Sequence, residues 1–191
     1  MTTEIIVVRH GATEWSENGR HTGRTDLPLT AQGRAEAEGL RDRIQMLDVA
    51  HDIALVLTSP LVRARETAKI AGVGDRAEIV DAIREWDYGE YEGVTTAEIR
   101  TTIPGWSVWT GPCPGGETVD DVGARADSVL ARLATVDGVA AVFSHGHFLR
   151  VFVARWLSLA PADGRLFALA TGTLSVLGYE REQPVLRSFN G

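Results

Sequence analysis

The chain has 191 residues, 44% of them hydrophobic and 24% charged, which is enough for one well-buried domain and short for two. Its net charge of −7 argues against non-specific binding to nucleic acid or to an anionic membrane, and its single cysteine excludes intramolecular disulfides. The N-terminus shows no charged-then-apolar leader and no apolar stretch has membrane-spanning length, so we expect a cytoplasmic protein.

Predicted strands and helices alternate along the chain. Four β-branched residues at 5–8 predict a buried strand that ends at Arg9, His10 and Gly11. Further strands are predicted at 53–57, 78–80, 139–143, 174–177 and 185–186, and helices at 31–47, 60–72, 95–102, 119–133 and 148–159. Ser59 is the expected N-cap of the second helix, with Pro60 as its first residue, and residues 12–29 are expected to form a loop.

This alternation implies βαβ units, and therefore an α/β fold: a three-layer α/β/α sandwich with a mostly parallel central sheet. Residues 94–118 differ from the rest because they are rich in proline and glycine and contain Trp106 and Trp109. They predict a short helix followed by a loop too apolar to be a free linker. We therefore expect a single domain over residues 1–191 with a flap-like insertion at about 94–118.

Polar groups follow four of the predicted strands. In chain order they are Arg9 and His10, Ser59 and Arg63, Glu85, and finally His145, Gly146 and His147. Because the carboxyl ends of parallel strands meet at one edge of a sheet, we expect these groups to converge there, together with the positive N-termini of two helices. Such an arrangement is an anion site that requires no metal.

Two arginines, imidazoles and a carboxyl group are what covalent phosphoryl transfer requires. A neutral imidazole attacks phosphorus, the cations stabilise the equatorial oxygens, and a protonated carboxyl group donates to the leaving oxygen. His145 and His147 stand two residues apart with no cysteine or acidic ligand nearby, which makes a poor metal site. We therefore expect neither a metal nor a cofactor.

Three motifs in this order resemble those of the histidine phosphatase superfamily, also called phosphoglycerate mutase-like. They are the segments 8–11 (VRHG), 59–68 (SPLVRARETA) and 144–146 (SHG). The acid phosphatase and sedoheptulose-bisphosphatase branch is the more similar one, because of segments 84–93 (REWDYGEYEG), 115–118 (GGET) and 144–150 (SHGHFLR). The resemblance implies a phosphoglycerate mutase-like fold.

The resemblance also implies roles for five catalytic residues. His10 becomes the phosphohistidine, while Arg9, Arg63 and His145 form the phosphate pocket. Glu85 is the proton donor and then the base that activates water. Since His10 must be neutral to attack and His145 acts best as a cation, we expect their environments to drive their pKa values apart. A protonated Glu85 also implies an acidic to near-neutral pH optimum.

Further substrate-binding residues come from the same resemblance. Thr22, Gly23 and His147 are expected near the phosphate or the leaving group, and the backbone N–H of Gly146 is expected to add to the pocket. Ser16 stands where many members carry an asparagine that contacts the phosphate, and its hydroxyl replaces one hydrogen bond with a shorter reach. Arg9, Arg63 and Glu85 are expected to contact the substrate as well.

A phosphatase is preferred to a phosphoglycerate mutase, because Arg100 is the only cation of residues 94–118 and the clamps that mutases use for the substrate carboxylate are missing. The expected partner is a small phosphate ester, of the class of phosphorylated sugars or sugar acids, and neither nucleic acid nor a membrane. A cofactor-dependent mutase, a non-catalytic module that binds phosphorylated ligands, and a homodimer stay open as alternatives.

Overall fold

The computed structural model describes residues 4–47 and 53–191. The described strands are β1 (Glu4–Arg9), β2 (Ile53–Thr58), β3 (Ala77–Ile79), β4 (Val139–Ser144), β5 (Leu174–Glu180) and β6 (Gln183–Ser188). They form one sheet in the order β3-β2-β4-β1-β5-β6. The first four are parallel to one another, whereas β5 runs antiparallel to β1 and β6 antiparallel to β5. The sheet is therefore mostly parallel, with an antiparallel hairpin at one edge.

Helices cover both faces of this sheet. They are α1 (Glu14–Glu17), α2 (Ala31–Gln45), α3 (Val62–Ile70), α4 (Thr96–Thr102), α5 (Val119–Leu133) and α6 (Gly146–Trp156). Successive side chains of β1 point to opposite faces. Ile5 and Val7 join a core cluster with residues of α5 and α6, whereas Ile6 and Val8 join a second cluster with residues of α2 and α3. The three-layer α/β/α sandwich is confirmed.

Several predicted boundaries were wrong near the ends of β2 and β4. Helix α3 begins at Val62 with Leu61 at its N-cap, because the hydroxyl of Ser59 accepts from the N–H of Leu61 in a preceding turn and also bonds Nε2 of His145. Helix α6 begins at Gly146, two residues earlier than expected, and ends at Trp156. The predicted loop 12–29 contains the short helix α1.

Two glycines let the chain after β1 pass close to α2. A Cβ atom on Gly11 would overlap the carbonyl oxygen of Gly33, and one on Gly33 would overlap that of Ala12. The N–H of Gly11 donates to Oγ1 of Thr67 at 3.1 Å, which ties the same stretch to α3. The residue between β1 and this crossing is His10, so its backbone is held from two sides.

The tryptophans of residues 94–118 fasten that segment to the rest of the fold. Trp106 is 2% exposed and meets the ring of His21 edge to face with centroids 5.4 Å apart, while its Nε1 donates to the carbonyl of Pro112 within the segment at 2.9 Å. Trp109 lies against the guanidinium of Arg150, 4.6 Å from ring centroid to Cζ. Nε of Arg100 donates to the carbonyl of Trp106 at 2.8 Å, so the guanidinium forms a hydrogen bond inside the 94–118 segment.

The expected domain over 1–191 includes residues 1–3 and 48–52, which lie outside the described residues. Within the described ranges, none of the helices has the length and apolar character needed to cross a bilayer.

Candidate active site

His10 lies at the end of β1, 5% exposed, with one face towards a pocket. Its Nδ1 is 2.7 Å from the carbonyl oxygen of Gly11. Since a carbonyl only accepts, Nδ1 carries the proton and donates, and Nε2 of the neutral ring has a free lone pair. Burial lowers the pKa of His10 well below its usual range, and the charges of Arg63 and Arg9 lower it further. The ring is therefore neutral at pH 7.

A buried chain of hydrogen bonds lies behind His10. Nε of Arg63 donates to Nδ1 of His145 at 3.1 Å, and Nε2 of His145 is 2.7 Å from the hydroxyl of Ser59. The rings of His10 and His145 meet edge to face with centroids 5.1 Å apart. Arg63 and His145 are both fully buried and are not among the residues that line the pocket. They lie behind His10 and act on the site through their charge and hydrogen bonds.

His145 is not a cation in this arrangement, which corrects the sequence-based expectation. Its Nδ1 accepts a bond from Arg63, and an imidazolium ring has no acceptor atom. Burial lowers the pKa of His145 well below its usual range, and Arg63 and the neighbouring His10 lower it further. The pKa values of His10 and His145 are thus shifted in the same direction, because both rings are desolvated beside the same arginines.

The guanidinium of Arg63 also holds the loop that crosses the pocket. Its terminal nitrogens donate to the carbonyl oxygens of Thr25 at 2.9 Å, of Thr22 at 3.0 Å and of Gly23 at 3.3 Å. Glu92 fixes the same loop from the other side by accepting from the N–H groups of Gly23 and Thr25. The N–H of Gly23 is therefore occupied by Glu92, and Gly23 lines a neighbouring cavity, so its expected place near the phosphate or the leaving group stays a prediction.

Arg9 lies over the first turn of α6. One of its terminal nitrogens donates to the carbonyl of Leu169, whereas its Nε is the one fully enclosed side-chain polar atom without a partner among the described residues. A Cβ on Gly146 would come within 3.2 Å of this guanidinium, so a side chain at position 146 would displace Arg9 by a few tenths of an ångström. Arg9 and His10 line the same pocket, so the charge of this guanidinium is available to an anion there.

Glu85 caps the N-terminus of α6. Its Oε1 accepts from the N–H groups of Trp86 at 2.9 Å and Phe148 at 2.8 Å, and its Oε2 accepts from the N–H of His147 at 3.0 Å. These bonds use two of the unpaired N–H groups of the first turn of α6 and leave that of Gly146 for a ligand. The N-terminus of α3 is not free in the same way, because Asp26 accepts from the N–H of Val62 at 2.7 Å. Gly146 and His147 of α6 line the pocket that holds His10, whereas none of the described residues of α3 does, so one helix N-terminus reaches this pocket where two were expected.

A pocket of about 220 Å³ brings most of the expected site residues together. Of the predicted residues, Arg9, His10, Ser16, Thr22, Glu85, Gly146 and His147 line it. The hydroxyl of Ser16 donates to the carbonyl of Thr13 at 2.9 Å and accepts from the N–H of Thr13, so it is engaged in the cap of α1. Thr22 likewise donates to the carbonyl of Arg20 at 3.1 Å.

Sequence reasoning missed several residues that line the same pocket. They are Thr13, Gly19, Arg20, His21, Tyr88, Thr96, Arg150 and Leu169. His21 lies 4.6 Å from the ring of Tyr88, and its Nε2 is 3.3 Å from the hydroxyl of Thr96. Burial lowers the pKa of His21. His21 stands in a stretch expected to be loop, and no local pattern of the sequence indicates that it lines the pocket.

The described residues contain no group of three or more histidine, cysteine, aspartate or glutamate side chains arranged to hold a metal ion. The polar side chains that line the pocket are instead guanidinium, imidazole and hydroxyl groups, with the single carboxyl group of Glu85 among them. These groups are suited to an anionic ester that supplies oxygen acceptors.

Comparison with known proteins agrees with this geometry. A family model described as the histidine phosphatase superfamily, branch 1, matches residues 5–191. An acid phosphatase of Mycobacterium tuberculosis is 43% identical over 92% of this chain and 86% of its own length. A sedoheptulose 1,7-bisphosphatase of Saccharomyces cerevisiae is 36% identical over 83% of this chain and 69% of its own length.

A solved structure, the product of an open reading frame of Mycobacterium tuberculosis, superimposes with a TM-score of 0.92 at 39% identity. It covers 98% of this chain, and 97% of that structure is matched. The chain belongs to the histidine phosphatase superfamily, and its fold is the phosphoglycerate mutase-like one. It is a phosphatase that acts through a phosphohistidine.

Proposed function

We propose that this enzyme hydrolyses small phosphomonoesters, of the class of phosphorylated sugars or sugar acids, without a metal, and that the phosphoryl group passes through Nε2 of His10. The observation that carries the proposal is the bond between Nδ1 of His10 and the carbonyl of Gly11, which leaves Nε2 unprotonated at the pocket. The acid phosphatase among the relatives supports phosphatase activity, and the sedoheptulose 1,7-bisphosphatase supports a phosphorylated sugar as substrate.

In the first step Nε2 of His10 bonds to phosphorus while the bond from phosphorus to the leaving oxygen breaks. The leaving oxygen takes a proton from Glu85. Oε2 of Glu85 accepts one backbone N–H whereas Oε1 accepts two, so Oε2 has the lone pair that can carry this proton. Nδ1 of His10 keeps its proton and donates to Gly11, which stabilises the positive charge that the phosphorylated ring acquires.

In the second step water attacks the phosphohistidine and transfers a proton to the carboxylate of Glu85. The bond from phosphorus to nitrogen breaks, and inorganic phosphate leaves with His10 neutral again. Arg9 lines the pocket and supplies its positive charge to the phosphoryl oxygens, and the N–H of Gly146 supplies a donor. Arg63 contributes its charge from beneath the pocket, oriented by His145.

The phosphohistidine can pass its phosphoryl group to water, as in a phosphatase, or to another hydroxyl of the substrate, as in a mutase. Water is the favoured acceptor here. Arg100, the cation of the 94–118 segment, donates to the carbonyl of Trp106 and does not line the pocket. Arg20 and Arg150 do line the pocket, so a mutase reaction on phosphoglycerates is the alternative that an experiment must separate. We place the reaction in the cytoplasm.

The test is release of inorganic phosphate from sugar phosphates, sugar bisphosphates and phosphoglycerates, with His10→Ala as the matched blank. We expect release from at least one sugar ester, and a loss of at least about a hundredfold in the variant, because the nucleophile is removed. Release that persists in His10→Ala contradicts the role of His10. Interconversion of phosphoglycerates without release points to a mutase.

A chelator and a binding measurement complete the experiment. Excess EDTA is expected to leave the rate unchanged, and a large loss would reopen a metal-dependent reaction. If the wild-type chain releases no phosphate but both it and His10→Ala bind a phosphorylated sugar, the chain is a binding module instead.

A further inference from the structure

Glu85 lies between β3 and α4, in a stretch of backbone that belongs to neither a helix nor a strand. A side chain from another element binds this backbone instead. Nη1 of Arg125, in α5, donates to the carbonyl oxygens of Ala82 at 2.6 Å and Arg84 at 3.1 Å. Its Nη2 donates to the carbonyl of Glu85 itself at 3.4 Å. The position of Glu85 therefore depends on an arginine that lies 40 residues further along the chain.

Glu117 holds the guanidinium of Arg125 in this position. Its carboxylate accepts from Nε of Arg125 at 2.7 Å and from Nη2 at 2.8 Å, which is a bidentate pair. Glu117 also binds the backbone and side chain that follow Glu85. Its Oε2 accepts from the N–H of Asp87 at 2.9 Å, and its carbonyl accepts from Nε1 of Trp86 at 2.9 Å. All five N–H donors of Arg125 are used in these contacts, so the pair has one geometry.

The pair of Arg125 and Glu117 also reaches the helix turn that the carboxyl group of Glu85 caps. Cζ of Arg125 lies 5.1 Å from the ring centroid of Phe148, and the N–H of Phe148 donates to Oε1 of Glu85 at 2.8 Å. The pair therefore contacts the backbone of Glu85 on one side and a partner of its carboxyl group on the other.

Glu85 is not enclosed by close packing on every side. It lines the pocket that holds His10, and it also lines the neighbouring cavity that Gly23 lines, which has a volume of about 250 Å³. Arg125 and Glu117 line that second cavity as well. Because the catalytic carboxyl group stands between two open spaces, hydrogen bonds rather than packing must fix its position there.

We propose that Arg125 and Glu117 are positioning residues for proton donation by Glu85. They hold its carboxyl group at the place where the leaving oxygen of the ester takes a proton, while the bond from phosphorus to that oxygen breaks and Nε2 of His10 bonds to phosphorus. This inference rests on the proposed phosphatase reaction. A displaced Glu85 should slow esters whose leaving oxygen needs a proton and spare esters whose leaving group departs without one.

The experiment compares kcat/KM for two esters within each variant. Fructose 6-phosphate has an alcohol leaving group that needs a proton, whereas 4-nitrophenyl phosphate releases a stabilised phenolate. Arg125→Lys keeps the positive charge but has three donors in place of five and no planar fork. We expect the ratio of fructose 6-phosphate to 4-nitrophenyl phosphate to fall by about tenfold, since a misplacement of about 1 Å can cost about a hundredfold. The ratio is taken within one preparation, so it does not depend on the folded fraction.

Arg132→Lys is the matched control. Arg132 also lies in α5 and also forms a bidentate pair with a glutamate, because its Nη1 and Nη2 donate to Glu78 of β3 at 2.9 Å and 2.6 Å. We expect this variant to leave the ratio unchanged. A fall equal to that of Arg125→Lys would overturn the proposal, because the loss of any ion pair on α5 would then be enough.

A double-mutant cycle distinguishes positioning from a structural role. If Arg125 acts through Glu85, adding Arg125→Lys to Glu85→Gln lowers the ratio no further. An unchanged ratio in Arg125→Lys overturns the proposal, as does an equal fall in both backgrounds. If Arg125→Lys does not fold, Glu117→Gln takes its place: it keeps one oxygen acceptor and should lower the ratio in the same direction, and an unchanged ratio overturns the proposal there too. Absence of phosphate release from both esters by the wild-type chain would instead refute the proposed function.

Discussion

Replacing Gly146 by alanine tests whether the position of Arg9 matters for activity, because the change should move Arg9 with little effect on the stability of the fold. The new Cβ atom would lie 3.2 Å from Cζ and Nε of Arg9, whereas ordinary contacts begin at 3.4 Å. The guanidinium must therefore withdraw by a few tenths of an ångström. Since a misplacement of about 1 Å can cost about a hundredfold in rate, we expect kcat/KM to fall by about threefold to tenfold.

The stability of this variant is expected to change little. Gly146 is the first residue of α6, so alanine gains at most the about 0.5–1 kcal/mol by which it is favoured in a helix interior, and the tight contact with Arg9 offsets that gain. We therefore expect the free energy of unfolding to stay within about 1 kcal/mol of the wild-type value. Urea unfolding measures this quantity, and phosphate release with inhibition by inorganic phosphate measures the site.

Gly39→Ala is the matched control, because Gly39 also lies in a helix but its Cβ would meet only Nη2 of Arg43 at 3.9 Å. That variant is expected to gain about 0.5–1 kcal/mol in stability with unchanged activity. The reasoning is refuted if Gly146→Ala retains the activity of Gly39→Ala. It is refuted equally if the loss of activity comes with a destabilisation above about 2 kcal/mol, since the variant would then be failing to fold.

Three further outcomes are expected. Glu85→Gln should slow esters with poor alcohol leaving groups much more than activated aryl phosphates, and equal slowing of both in steady-state assays would argue against proton donation. Glu92→Gln keeps an oxygen for the loop N–H groups and should lose less kcat/KM than Glu92→Ala, with the exposed Glu90→Ala as control; equal losses in the Gln and Ala variants would show that the charge of Glu92 matters, not its hydrogen bonds. The pKa values of His10 and His145 are lowered by burial, so below about pH 6.5 the unfolded chain binds more protons than the folded one and stability falls as the pH falls. The slope is about 1.4 kcal/mol per pH unit for each ring, and urea unfolding of His10→Asn at pH 5–8 should show one such contribution less than wild type.

The order of elements and the residues at the strand ends were predictable from the sequence, for a physical reason. Parallel strands covered on both faces leave long apolar runs, and the polar residues that follow them must meet at one edge. That is why Arg9, His10, Glu85 and Gly146 were found to line one pocket. The prediction needed only chain order and the direction of the strands.

What the sequence did not predict depends on pairs of residues distant along the chain. The start of α3 was misplaced because the hydroxyl of Ser59 is held by His145, 86 residues later. The neutral state of His145 depends on the direction in which Arg63 approaches its ring, which no local pattern records. The bond from the N–H of Gly23 to Glu92 joins residues 69 positions apart, and no local pattern indicates it.

The crossing of Gly11 and Gly33 bears on how sequences of this fold can diverge. Both positions exclude any side chain because each Cβ would overlap the other segment's backbone, and this exclusion does not involve the phosphoryl group. A descendant that lost phosphatase chemistry would be free to replace His10 or Glu85 but would still require both glycines. Glycines at 11 and 33 beside a substituted position 10 would therefore mark a relative that has kept this architecture after abandoning catalysis.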